Sequence, residues 1–221
     1  MPAVPATCTV QDSVLNQSSL RVVPLNGTVL TVAIGSSSTA GNGASSPNNA
    51  YVAVLQNLLA NQASLANFVV VNAGVAGDTL AKVQDRLQRD ALGRNPQLVI
   101  LQVGVNDASL QPNQAGVDSF RANFLNTVRQ IQAVAPLIIV NGQYYPTEPP
   151  FYEGYMGAMT EVANQQHVAV FDRYGLMKSA ITSGGYTPSS LLASDAFHPN
   201  DAMHRCTGQV LADLVSRSVV R

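Results

Sequence analysis

Thr28-Val29-Leu30-Thr31-Val32-Ala33-Ile34 is an apolar run of strand length, and it breaks at once into Gly35-Ser36-Ser37-Ser38-Thr39-Ala40-Gly41, a turn of small and hydroxyl residues. Four more runs of the same kind follow along the chain: Phe68 to Val71 (FVVV), Leu98 to Val103 (LVILQV), Leu137 to Val140 (LIIV) and Val168 to Phe171 (VAVF). Each is rich in Val and Ile and continuous rather than alternating, the pattern of strands buried on both faces of a parallel sheet.

Helical periodicity fills the intervals. Ser46-Pro47 reads as an N-cap followed by proline at the first helical position, with Tyr51, Leu55 and Leu58 on the apolar face. Asp78 is the expected cap of the next helix, whose stripe is Leu80, Val83 and Leu87. Val117, Phe120, Phe124, Val128 and Ile131 form the longest stripe; Tyr152, Tyr155, Met159 and Val162 form a less regular one. A last helix runs from about Asp201 through Val210, Leu211, Leu214 and Val215. Strands alternating with helices predict a three-layer α/β/α fold with right-handed crossovers. Residues 1–27 carry Pro2, Pro5, Pro24 and Gly27 without sustained periodicity, so they read as an arm packed on a domain spanning 28–221.

The chain has 221 residues, of which 46% are hydrophobic and 11% charged, and its formal net charge is −1. Such a length buries one sizeable core without metal or disulfide staples. The balanced charge offers no basic field for a phosphate backbone, which argues against nucleic acid as a partner. No apolar run approaches the ~20 residues of a membrane span. The charged fraction is low against the ~25% usual for soluble proteins and points to a secreted or periplasmic protein. Met1 to Thr7 reads as the remnant of a signal-peptide cleavage region. Cys8 and Cys206 stand near opposite ends; a bridge between them would be worth about 5 kcal/mol, and two unrelated buried thiols are the equal alternative. Two cysteines and three histidines show no metal-ligand spacing, and no cofactor motif is present.

Ligands bind at the carboxyl ends of parallel strands, so the segments after each run carry the functional signal. They are Gly35 to Gly41, Asn72 to Thr79, Gly104-Val105-Asn106-Asp107 and, before the last helix, Asp195-Ala196-Phe197-His198-Pro199. A hydroxyl nucleophile, a backbone-exposing glycine, a side-chain amide and an acid three residues before a histidine are the components of an acyl-transfer site. Rival readings fail on particular positions. Gly41-Asn42-Gly43 lacks the third glycine of a dinucleotide loop, position 46 being Ser; no Lys follows these glycines, as a phosphate loop requires; and Gly35 to Thr39 lacks the second glycine of a nucleophile elbow.

The ordered set of four blocks resembles the SGNH hydrolases, also called GDSL esterases and lipases, over roughly residues 28–220. The resemblance implies a flavodoxin-like sandwich around a five-stranded parallel sheet and a serine esterase. It assigns Ser37 as nucleophile and Asp195 and His198 as acid and base. It assigns the Ser37 and Gly77 N–H groups and the Asn106 amide as oxyanion donors. Ser36 stands where the family usually has Asp, which bears on the support of the loop more than on the chemistry.

Of the other histidines, His167 lies at a strand entry on the opposite edge and His204 on the last helix, and both read as structural. Asp78 and Asp107 are expected to cap and to bond loop amides. Gln143-Tyr144-Tyr145-Pro146 and residues 108–111, with Val105, are expected to line the substrate pockets. With no Trp and no large apolar lid segment, the expected substrate is a short-chain acyl (acetyl) ester of a carbohydrate or small alcohol. An acyltransferase with the same triad and a non-catalytic binding module are the alternatives.

Overall fold

The computed structural model describes residues 3–62 and 66–220. In chain order the elements are α1 (Val10–Ser13), β1 (Val14–Leu15), β2 (Thr28–Gly35), α2 (Ser37–Ala40), α3 (Tyr51–Ala60), β3 (Asn67–Gly74), α4 (Leu80–Asp90) and β4 (Leu98–Gln102). They continue as α5 (Val105–Leu110), α6 (Gln114–Gln132), β5 (Leu137–Val140), α7 (Tyr152–Gln166), β6 (Ala169–Phe171), α8 (Arg173–Thr182), α9 (Pro188–Leu191) and α10 (Asp201–Ser218). All five expected strands and all the expected helices are present, in an α/β architecture.

Among the described residues the sheet has six strands in the order β1-β6-β5-β4-β2-β3. The five strands from β2 to β6 run parallel in the flavodoxin-like order, reversing direction of travel at β2. The sixth strand corrects the expected count. Val14 and Leu15, in the segment read as an irregular arm, pair antiparallel with Phe171 and Val170. That segment also buries Val10, Leu20 and Val22 in the common core, and Val22 bridges to Val219 at the end of α10. Cys8 and Cys206 form a disulfide, which ties the same segment to the middle of α10.

β4 and β5 are buried at every position, as continuous Val/Ile/Leu runs should be. β3 departs from that expectation: it is the edge strand, with Val69 39% exposed. Its open edge is partly closed by Gln56 of α3, whose Nε2 donates to the Phe68 carbonyl and whose Oε1 accepts from the Val70 N–H. A side-chain amide thereby takes the place of a neighbouring strand and blunts a surface that would otherwise pair with another chain.

Two expected caps also fall elsewhere. Ser46 precedes a 3-10 turn, Pro47–Asn49, and makes no capping bond; α3 opens later, and its Tyr51 N–H donates to His204 Nδ1 of α10. Thr79, rather than Asp78, caps α4 by accepting from the Lys82 N–H, because the Asp78 carboxylate is drawn to Arg86. Among the described residues no helix is long and apolar enough to cross a membrane.

Candidate active site

The site lies at the carboxyl edge of the sheet where β2 sits between β3 and β4, the point at which the strand order reverses. Ser37 is the first residue of α2 and is 8% exposed. Its Oγ lies 3.0 Å from His198 Nε2, and His198 Nδ1 lies 2.5 Å from Asp195 Oδ2.

Asp195 and His198 reach this geometry through one tight turn. The Ala193 N–H donates to the His198 carbonyl and the Ala196 N–H to the Ala193 carbonyl, with Ala196 in the left-handed region at φ 54°. Inside that turn Asp195 Oδ1 accepts the Phe197 and His198 amides, each at 3.0 Å, which leaves Oδ2 for the imidazole. Burial alone would raise the Asp195 pKa, but the bonds from the His198 ring and from the two amides outweigh it and hold the carboxylate below its ordinary value. An ionised Asp195 selects the tautomer that carries its proton on Nδ1 and leaves Nε2 free to accept.

The Ser37 turn is supported without an aspartate at position 36. Gln102 Oε1, at the end of β4, accepts from the Ser36 N–H (3.2 Å), the Ser36 hydroxyl (3.0 Å) and the Thr39 hydroxyl (3.3 Å). Tyr51 completes the chain with its hydroxyl 3.0 Å from Thr39 Oγ1. Ser36 thus donates where an aspartate would accept, and the neighbouring strand supplies the acceptor.

The glycine loop and the amide block are bonded to that turn and to each other. The Val75 N–H donates to the Gly35 carbonyl at 2.9 Å. Asn106 Nδ2 donates to the Asp78 carbonyl at 2.8 Å, which orients the amide beside Gly77. Asp107 accepts from the Leu80 and Gly104 amides, so it joins the start of α5 to the start of α4, and burial raises its pKa despite these bonds. Among the described residues neither the Ser37 nor the Gly77 backbone N–H donates a hydrogen bond. Gly77 sits at φ 81°, and no atom lies within 4 Å of where a Cβ would stand.

Several expected pocket residues are placed differently. Val105 (3% exposed) faces Gly142, and Tyr145 (4% exposed) packs edge-on between Tyr152 and Phe197. Gln143 is buried and accepts from Arg173 Nη2. The segment after β5 turns inward because α7 and α8 present Tyr152 and Tyr174 to it. Tyr144 remains half-buried against Tyr174, while Leu110 is 72% exposed. Phe197 packs edge-on against His198 with ring centroids 4.7 Å apart, so Tyr145 backs the imidazole through Phe197.

The other two histidines stand apart from Ser37. His167 terminates α7 in the left-handed conformation. His204 is 1% exposed and accepts from Tyr51 through Nδ1, so its Nε2–H donates to the Asn42 carbonyl at 3.0 Å. Burial pushes its pKa down to about 4.

Sequence reading missed Arg86 and Gly43. Arg86 is a cation on the otherwise apolar face of α4, and that misplacement was the available signal. Gly43, at φ 90°, packs against His198 and Pro199, a contact across the chain with no local signature. Among the described residues no group of three or more His, Cys, Asp or Glu side chains is placed to hold a metal ion.

The chain matches the Non-GDSL lipase-like family over residues 2–221, a description that suits Gly35-Ser36-Ser37 in place of Gly-Asp-Ser. The lipase/acylhydrolase from Enterococcus faecalis is similar in structure, with a TM-score of 0.68 at 26% identity over 86% of this chain and 94% of that one. An acetyl xylan esterase variant from Geobacillus stearothermophilus shares the fold, with a TM-score of 0.70 at 20% identity over 87% of this chain and 97% of its own. A two-domain esterase active on acetylated mannans also shares it, with a TM-score of 0.70 at 19% identity over 86% of this chain and 49% of its own. No curated protein is significantly similar in sequence. The match along nearly the whole chain places this protein in the Non-GDSL lipase-like family, among the SGNH-type hydrolases.

Proposed function

We propose that the chain is a serine esterase that hydrolyses short-chain acyl, chiefly acetyl, esters of a carbohydrate or small alcohol through Ser37, His198 and Asp195. The observation that carries this reading is the unbroken hydrogen-bond series from Ser37 Oγ through the His198 ring to Asp195 Oδ2. A free serine hydroxyl is a weak nucleophile at neutral pH and needs a base within this reach. Ser37 Oγ attacks the ester carbonyl as its proton passes to His198 Nε2, and Asp195 stabilises the imidazolium. The tetrahedral oxygen gains charge beside the Ser37 and Gly77 N–H groups and the second Asn106 amide proton, donors set in place before the reaction. Collapse breaks the bond to the alcohol oxygen, which takes the proton from His198. Water, deprotonated by His198, then attacks the acyl-serine; the carboxylic acid leaves and Ser37 recovers its proton.

The substrate class is inferred from neutrality and from the similar structures. A net charge of −1 suits an uncharged ester. The similar structures include an acetyl xylan esterase and an esterase active on acetylated mannans, which supports an acetylated carbohydrate as substrate. The Cys8–Cys206 disulfide supports the reading of a secreted or periplasmic enzyme, since such bonds persist in oxidising compartments.

The test is p-nitrophenyl acetate against p-nitrophenyl octanoate, with a fluorophosphonate probe on wild type and Ser37→Ala. Acetate should turn over faster, and labelling should vanish in the variant. No labelling of wild type, or labelling that survives Ser37→Ala, overturns the mechanism; a preference for octanoate overturns the acyl assignment. Release of acetyl to an added sugar hydroxyl in preference to water identifies an acyltransferase instead.

A further inference from the structure

Arg86 is 7% exposed, although a guanidinium is ordinarily kept in water, and it faces the sheet from the apolar side of α4. It makes four hydrogen bonds behind the site, two to backbone carbonyls and two to carboxylates. Nε donates to Asp78 Oδ2 at 2.7 Å, Nη2 to the Gly35 carbonyl at 3.0 Å, and Nη1 to the Ala73 carbonyl at 2.7 Å and to Asp90 Oδ2 at 3.2 Å.

These partners mark the segments that carry the oxyanion donors. Gly35 ends β2 and stands two residues before Ser37. Ala73 lies near the end of β3, where the glycine loop begins. Asp78 follows Gly77, and its own carbonyl holds the Asn106 amide at 2.8 Å. A single planar group therefore reaches all three segments at the point where the parallel ladder ends. Two carboxylates flank the cation, so its contribution to the site is geometric rather than a long-range field.

We propose that Arg86 is the positioning residue of the oxyanion hole: it sets the spacing between the Ser37 turn and the Gly77 loop on which transition-state stabilisation depends. The inference rests on the esterase reading above. Only a fork of donors can satisfy two carbonyls and a carboxylate at once; a lysine ammonium in the same place cannot span them. Because the donors stabilise the charged intermediate more than the ground state, a shift in their spacing lowers kcat and leaves substrate affinity nearly unchanged.

The experiment compares wild type with Arg86→Lys, Arg86→Gln and Arg86→Ala on p-nitrophenyl acetate, well below each variant's melting temperature, with circular dichroism to establish folding. Arg86→Gln should lose on the order of 100-fold in kcat, the cost of misplacing a catalytic group by about 1 Å, with KM within about twofold of wild type. Arg86→Lys should recover little of the loss, and millimolar guanidinium or methylguanidinium should restore part of the kcat of Arg86→Ala. A purely structural role would lower the melting temperature without changing kcat in the folded fraction. A folded Arg86→Gln with kcat within about threefold of wild type overturns the proposal, as does a change confined to KM. If the Gln and Ala variants do not fold, Arg86→Lys decides, and wild-type kcat in that variant overturns it. Wild type that cleaves no acyl ester overturns the esterase reading and this inference together, whereas an active wild type beside an equally active Arg86→Gln overturns this inference alone.

Discussion

Replacing Gly43 with alanine tests how closely His198, the proposed base, is held. Gly43 has φ 90°, and a Cβ there would stand 2.2 Å from the Pro199 carbonyl oxygen and 2.7 Å from His198 Cβ. Neither neighbour is the far end of a flexible side chain, so the 198–199 backbone must retreat by about 1 Å to reach ordinary contact distances near 3.5 Å. His198 Nε2 is 3.0 Å from Ser37 Oγ, and a displacement of that size takes the pair beyond hydrogen-bond reach. The expected loss is about 100-fold in kcat/KM, equivalent to roughly 3 kcal/mol.

The left-handed backbone costs a further 1–2 kcal/mol or so of stability in any non-glycine residue. Gly184→Ala is the matched control: its φ is 79°, but nothing lies within 4 Å of its Cβ direction. Both variants should melt lower, by about 2–4 °C per kcal/mol in a chain of this size. Only Gly43→Ala should lose p-nitrophenyl acetate hydrolysis and fluorophosphonate labelling. Wild-type activity in folded Gly43→Ala, or an equal loss of activity in Gly184→Ala, refutes the reasoning.

Acid stability should carry the signature of His204. Its folded pKa of about 4 lies below the ordinary 6.5, so the unfolded chain binds the extra proton between these values. Stability should therefore fall as pH drops from about 6.5 to about 4, by roughly 3 kcal/mol from this group; urea titrations of wild type and His204→Gln should differ in slope across that window and run parallel above pH 7. Separately, joining Cys8 to Cys206 closes a loop of 198 positions, and the double Ser variant should lose about 5 kcal/mol in the chain-entropy account. A denaturation midpoint unchanged by that double substitution would show that the unfolded chain gains nothing from the link.

What the chain sequence determined alone was local: the identity of its elements and the chemistry at their ends. Leu137 to Val140 needs only four apolar residues to read as a buried strand, and it is one. Asp195 to Pro199 carries the acid and the imidazole within one turn, so Asp195 can be matched to His198 from spacing. Such signals survive because turn and helix geometry act over a single turn of chain.

Tertiary structure decided whatever depends on a distant partner. Whether β3 is central or an edge depends on strand order, and its repair by Gln56 depends on α3 lying beside it. The Asp78 carboxylate pairs with Arg86 rather than capping α4, and α3 opens not after Ser46 but at Tyr51, whose amide is taken by His204 from far along the chain. Ser36, Gln102, Gly43 and Cys8 likewise have roles only against residues brought close by folding. The physical reason is that a buried polar group must find a partner wherever the fold supplies one, and the fold supplies these from across the chain.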